Sequence, residues 1–541
     1  MSTNLILTNG HIHTMDPQHT HATAVAIRDG KIFAIGDDAA MKDLLHQDDE
    51  WLDLDGRSVV PGLVDSHVHF EGFSLSRQRV DLDGTSTPQE ALQRIVTYAE
   101  QLQKSPQSSR SEQWLQGRGW AQDSWQQPTF PTAAHLDQII PNMPVYLRHK
   151  SGHAAWANTK TLNIAGITSA TPDPPGGQIQ RDAAGRPTGI LFEDAMLLVK
   201  EKLPKPTISE ISSAMLDAQT YCWQVGLTGI HDFDGRSCFQ ALQLLHQRDQ
   251  LGLRVIKNIP VDRLDHAVGV GLRSGFGDEW LRIGGIKIFA DGALGARTAA
   301  MVEPYENDLD NVGIVVTDKE EMMAGASLAS ANGLSVTVHA IGDRANHDIL
   351  DVFAAVRKEE RGQEHRGILR HRIEHVQLLH HTDLQRLAQL DVIASMQPIH
   401  ATSDMKTAAA FWGERTKFSY AWRTMLDTGA TLVFGSDAPV EKIDPLPGIH
   451  AAVTRRNAAG EPGNDGWHPE QKLTLSEVIF AFTQASAITS GQENRLGSIT
   501  PGKMADLTIF DQDIFAISPH ELLQVGISGT LVAGEFKYRT W

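Results

Sequence analysis

The chain has 541 residues, 41% of them hydrophobic, which is enough to build large cores and too apolar for a disordered polymer. Its 66 acidic residues outnumber 48 basic ones, and a formal charge of −18 disfavours nucleic acid and anionic membranes as partners. Two cysteines, Cys222 and Cys238, argue against a disulfide framework and fit a reducing compartment. The opening Met1-Ser-Thr-Asn-Leu-Ile-Leu-Thr lacks a basic leader ahead of an apolar segment, and no run of about 18 apolar residues occurs, so the expected location is cytoplasmic.

From the start of the chain, residues 4 to 60 read as short strands: Leu5–Thr8, Ala24–Arg28, Lys31–Ile35 and Ser58–Val60, separated by Asn9-Gly, Asp29-Gly and Asp55-Gly turn signals. The far end repeats this texture in Gly502–Phe510 and Gly529–Tyr538. Neither end would bury a core alone. The expectation is a composite β-sandwich of residues 1–60 and 491–541.

The run Pro61–Phe70 has strand composition and ends in His67-Val-His69. Residues two apart share one face of a strand, so the pair suits a metal clamp as well as it suits a satisfied structural pair. Residues 81–215 follow, too long for a loop and rich in turn signals such as Pro172-Asp-Pro-Pro-Gly-Gly177. An insertion subdomain is expected there. Its Trp114, Trp120, Trp125 and Trp156 would either fill its core or form a wall over a site.

Runs rich in β-branched residues then alternate with helical segments, giving expected strands at 63–70, 227–233, 254–260, 282–291, 334–343, 370–377, 392–398 and 431–439. Eight parallel βα units close a (β/α)8 TIM barrel, here of residues 61–80 and 216–490. The stretches Thr317-x-x-Glu320 and Thr474-x-x-Glu477 read as capping boxes at helix starts.

Polar residues fall at the strand ends, where such barrels do their chemistry: His67 and His69 on the first, Lys287 on the fourth, His339 on the fifth, His375 on the sixth and Asp437 on the eighth. Singly, each has a structural explanation, as a surface lysine, core histidines or a helix cap. Jointly, four imidazoles and a carboxylate are what a zinc-like ion takes, and one bridging anion would complete two metals. Lys287 is the odd member. An ammonium cannot ligate a cation, but a buried lysine can react as the free amine, and with carbon dioxide it becomes a bidentate carbamate.

These motifs, Pro61-Gly-Leu-Val-Asp-Ser-His67-Val-His69, Lys287-Ile-Phe-Ala-Asp-Gly, Val338-His339-Ala-Ile-Gly-Asp-Arg, Ile373-Glu-His375 and Gly435-Ser-Asp437-Ala-Pro, resemble the amidohydrolase superfamily. The segments Lys287–Gly295 and Gly342–Asn346 narrow the resemblance to the YtcJ-like branch, which includes N-substituted formamide deformylase. Ala133 departs from the branch, which commonly has a basic residue after Pro-Thr.

The resemblance implies a binuclear site: His67 and His69 on one divalent ion, His339 and His375 on the other, carboxylated Lys287 bridging, and Asp437 touching metal and handling the proton. Zinc is the foremost expectation, with carbon dioxide held as the carbamate. It further implies hydrolysis of an amide-type C–N bond in a small molecule, with His153 as a second electrophile and Trp120 and Arg297 as substrate contacts. Asp343 and Arg344 read as fixing the loop after the fifth strand. A mononuclear deaminase of a heterocycle and a non-catalytic binding member stay open as alternatives, and so does a homodimer.

Overall fold

The computed structural model describes residues 4–44, 49–104, 114–361 and 369–541, so the first three residues of the opening stretch lie outside the described ones. The chain divides into two compact units, Met1–Phe73 with Met215–Trp541, and Ser74–Ala214.

In the first unit eight strands line up in chain order: β1 (Leu63–Val68), β2 (Leu227–Asp232), β3 (Arg254–Pro260), β4 (Leu281–Phe289), β5 (Ser335–Ala340), β6 (Arg372–His375), β7 (Ile393–Met396) and β8 (Leu432–Phe434). Every neighbouring pair is parallel. The circle closes just past β8, where Val68 bridges Ala438, Asp437 N donates to His67 O at 2.7 Å and His69 N donates to Ala438 O at 2.8 Å. Strands covered on both faces need apolar side chains throughout, which is why they read as near-continuous hydrophobic runs.

The expected 254–260 coincides with β3, while the other seven expected strands overran the ladders at their C-terminal ends. In the predicted 334–343, β5 stops at Ala340, and the next two amides leave the ladder to donate to the Asp291 carboxylate. Helix α1 (Lys319–Ala331) corrects one expectation. Its cap is Asp318, whose carboxylate accepts from Glu321 N at 2.8 Å, not Thr317. Helix α2 (Pro398–Trp412) follows β7, and helix α3 (Leu475–Phe482) has the expected capping box between Thr474 and Glu477.

Both chain ends build the sandwich in this unit. One sheet holds Leu5–Thr8, Ala24–Arg28, Lys31–Gly36 and Glu50–Asp53. The other joins His11–His13, His21–Ala22 and Ser58–Pro61 to Leu507–Phe510, Ile527–Val532 and Glu535–Arg539. A shared core, including Leu7, Val25 and Ile27 from the first sheet with Val59, Leu507 and Leu531 from the second, gives each sheet the apolar partner it lacks alone. The Thr508 hydroxyl accepts from Leu63 N at 3.1 Å and donates to Gly226 O at 2.7 Å, tying this sandwich to the starts of β1 and β2.

The second unit is built on a six-stranded mixed sheet. Ala91, Ile95 and Ala99, spaced four apart on the helix Pro88–Lys104, share a buried cluster with Leu115, Leu147, Trp120, Trp125 and Trp156. These three tryptophans are therefore core residues, and Trp114 is half-buried against a neighbouring cluster. Among the described residues no helix is long and apolar enough to cross a membrane.

Candidate metal centre

The C-terminal ends of the barrel strands bring His67, His69, Lys287, His339, His375 and Asp437 together. The His67 and His375 rings lie 4.9 Å apart between centroids, and those of His339 and His375 lie 4.6 Å apart. Asp437 Oδ1 is 3.5 Å from Nε2 of both His67 and His69, and these three residues form a donor set whose ligand atoms lie within 4.8 Å of one another.

Each imidazole has one nitrogen already committed. His67 Nδ1 donates to Glu374 Oε2 at 2.5 Å and His69 Nδ1 to Asp234 Oδ1 at 2.9 Å. His375 Nδ1 donates to Gln397 Oε1 at 2.7 Å, and His339 Nε2 to the Gly292 carbonyl at 2.8 Å. An acceptor on one ring nitrogen fixes the tautomer and leaves the lone pair of the other free to ligate. Nε2 of His67 is fully buried with no hydrogen-bond partner, and so is the Lys287 amine. Polar atoms are rarely buried unpaired, because each costs about 1–3 kcal/mol, so orphans grouped in this way fit a cation and its ligands.

Electrostatics favour the neutral rings that ligation needs. Burial lowers His67 to about 4 against the pull of Glu374, and lowers His339 to about 3 with help from the Lys287 charge. His375 is pushed well below its ordinary value by burial and by the neighbouring His339 and His67. His69 goes the other way: burial opposes its protonated form, but the hydrogen bond and charge of Asp234 raise it overall. Burial brings Lys287 down to about 8, so a fraction of it is free amine at neutral pH. Its Nζ sits 4.6 Å from the ring centre of Phe233 and 4.8 Å from that of Phe289.

The supporting residues were missing from the sequence reading. Glu374, fully buried, holds His67, and its charge is kept by Arg372, which bonds it through Nε and Nη2. Asp234 holds His69, and the backbone around it is fixed by Lys257, a buried ammonium 2.8 Å from Asp232 that also donates to Asp234 O. Asp232, Asp234 and Cys238 have the spacing of a second metal group, but Lys257 already meets their charge. Asp65 accepts from His67 N, Ser436 N and Ser436 Oγ, stitching β1 to the segment after β8. Gly435 permits that closeness: a Cβ there would lie 2.4 Å from His67 N. Glu374 and Asp65 were visible inside the quoted motifs, one and two residues from a ligand, but nothing in one chain says which acid faces which imidazole.

Asp343 and the backbone of Arg344 tie the turn after β5 to the loop after β4, while the Arg344 side chain lies 3.7 Å from Asp348. The Asp343 carboxylate accepts from Val302 N at 2.8 Å, and Arg344 N donates to Ala300 O at 3.1 Å. Arg297 lies on the loop after β4, where its guanidinium is engaged by Asp308 at 2.9 Å and by the Phe411 ring rather than by any of the six donors. Trp120, expected to touch substrate, is instead fully buried in the second unit, its indole N–H spent on Leu147 O at 2.9 Å. His153 also belongs to that unit. It is largely exposed and pairs with Glu193 at 3.0 Å.

A TIM barrel whose strand ends gather four tautomer-fixed imidazoles, a carboxylate and a buried lysine has the make-up of a metal-dependent hydrolase. The amidohydrolase family model matches residues 50–538, and the chain belongs to that family. It is 34% identical to Protein LONG AFTER FAR-RED 3 of Arabidopsis thaliana, over 94% of this chain and 87% of that protein. It is 32% identical to "Putative amidohydrolase YtcJ" of Bacillus subtilis, over 98% of each, which places it in the YtcJ-like branch. N-substituted formamide deformylase of Arthrobacter pascens is 28% identical over 99% of this chain and 98% of its own. Among solved structures, an uncharacterized metal-dependent hydrolase from Pyrococcus horikoshii superposes with a TM-score of 0.78 at 28% identity, covering 96% of this chain and 99% of that one.

Proposed function

We propose that the protein hydrolyses a non-peptide, amide-type C–N bond of a small molecule with two divalent metal ions, zinc foremost. The observation that carries this reading is the set of four histidines, each with one nitrogen committed and the other left to ligate, around Asp437 and an unpartnered buried amine. His67 and His69 would hold one ion, His339 and His375 the other. Lys287 would bridge as a carbamate, its free amine adding to carbon dioxide with loss of one proton. Metal ions bound there lower the pKa of water towards neutrality and polarise a carbonyl. Asp437 accepts the proton of the attacking water and passes it to the leaving nitrogen, first a general base and then a general acid. A carboxylate and an amine are the products. The relative named N-substituted formamide deformylase supports the C–N assignment.

The second reading is a one-metal deaminase of a heterocycle, favoured by the close grouping of His67, His69 and Asp437 alone. Metal analysis separates the two. Two ions per chain, with turnover on a panel of N-acyl, N-formyl and cyclic amides, support the first; one ion per chain, with ammonia released from heterocyclic amines, supports the second. In either case the expected partner is a small molecule.

A further inference from the structure

His400 is a polar group that the mechanism above leaves unused. It lies in the first turn of α2, immediately after β7, and its backbone N–H donates to Gln397 O at 3.1 Å. Gln397 is the residue that holds His375, so the residue whose side chain orients a proposed ligand also receives, on its backbone carbonyl, the first bond of this helix. The His400 ring lies 6.1 Å from that of His375, centroid to centroid. The residue is 8% exposed, and its Nε2 is fully enclosed with no hydrogen-bond partner. That nitrogen lies 3.6 Å from Asp437 Oδ2, while Oδ1 of the same carboxylate faces His67 and His69.

A buried imidazole nitrogen without a partner costs stability, and a helix start tied to the site by Gln397 keeps it in place. The two oxygens of Asp437 are thus divided: one looks to the ligand histidines, the other to His400. We infer that His400 is a positioning residue for Asp437. Its Nε2–H closes onto Oδ2 when the site is filled and holds the carboxylate so that Oδ1 faces the attacking water. The spacing, 3.6 Å, is just beyond a hydrogen bond, a gap that a small rotation of either side chain closes. This inference rests on the proposed role of Asp437 and adds the group that aims it.

The test uses the full metal-loaded protein and four variants, His400→Ala, His400→Gln, Asp437→Asn and the His400→Ala/Asp437→Asn double. With an amide that the wild type turns over, His400→Ala should lower kcat about 10–100-fold with KM within about threefold, the range seen when a partner of a site residue is removed. His400→Gln, which keeps an N–H donor, should recover part of the loss. The double variant should be no slower than Asp437→Asn alone, because a residue that acts only through Asp437 has nothing left to act on. Metal content should stay at the wild-type value, and crystals of metal-loaded His400→Ala should show the Asp437 carboxylate rotated.

Wild-type kcat in His400→Ala overturns the inference. A lost metal would make His400 a ligand, a raised KM at unchanged kcat would make it a substrate contact, and an unmoved Asp437 would remove the positioning role. If His400→Ala fails to fold, His400→Gln and the double cycle built on it carry the same comparison. Should the wild type cleave no amide, the reading of the reaction falls, while the crystals still decide whether His400 positions Asp437.

Discussion

At the scale of single residues the site stores strain. His375 and Asp437 both take left-handed backbone conformations, with φ of 75° and 60°, which side-chain-bearing residues avoid. Such a conformation costs on the order of 1–3 kcal/mol and persists where the surroundings over-determine it. Here Gln397 holds the His375 ring, and the backbone bond to His67 O holds Asp437. Replacing His67 and His69 together by alanine should abolish hydrolysis and empty the ion they hold, with the far-ultraviolet circular dichroism of the fold retained. Full activity in that double variant would remove both from the metal set.

Lys287→Ala tests the bridge. Metal occupancy and turnover should fall together, turnover by at least about 100-fold, beyond the roughly 10–100-fold typical of residues that merely orient ligands. Acetate supplied with metal should restore part of both by offering carboxylate oxygens, and reconstitution should run faster in bicarbonate than in buffer freed of carbon dioxide. Two metals and near wild-type turnover in Lys287→Ala would end the bridging role.

Among the elements, α3 shows how much local chemistry is readable from spacing alone. Thr474 caps it, Glu477 closes the capping box, and Arg423 reaches across to the same Glu477 carboxylate with two bonds, at 2.8 and 2.6 Å. The Thr474-x-x-Glu477 pattern was legible; the arginine, 54 residues earlier, was not. Thr474→Ala should destabilise the protein by about 1 kcal/mol in urea unfolding. The Arg423 bond, with the cap amide and hydroxyl, lowers Glu477 from its ordinary 4.5 to about 2. A carboxylate depressed on folding stabilises the protein above its unfolded pKa, so this contribution is complete above pH 4.5 and drains away as the pH falls towards 2. Glu477→Gln should therefore flatten the acid limb of the stability profile, measured as urea midpoint against pH. An unchanged limb would count against it.

For the whole molecule, ions that bind only the folded state add stability by mass action, about 2.7 kcal/mol at a hundredfold excess over the dissociation constant. Chelation should accordingly lower the melting temperature, and zinc should restore it; a melting curve indifferent to both would argue against a built metal site. The net charge of −18 leads us to propose that the protein does not bind DNA at physiological salt, which a gel shift at low micromolar protein would contradict.

The sequence by itself determined the period and composition of the strands, hence the eight-stranded barrel, the pairing of the two chain ends and the strand-end positions of all six donor residues. These are local properties, carried by apolar runs and by residues two apart on one strand. Only the tertiary structure decided which acid fixes which imidazole, that Trp120 faces a core, that Lys257 neutralises the acids beside Cys238, and that His400 approaches Asp437. The Glu374–His67 bond spans 307 positions and the Asp234–His69 bond 165. Contacts so distant in sequence leave no periodic trace, because they exist only once the folded barrel has brought β6 across from β1 and has paired β2 with β1 over the long segment that separates them in the chain.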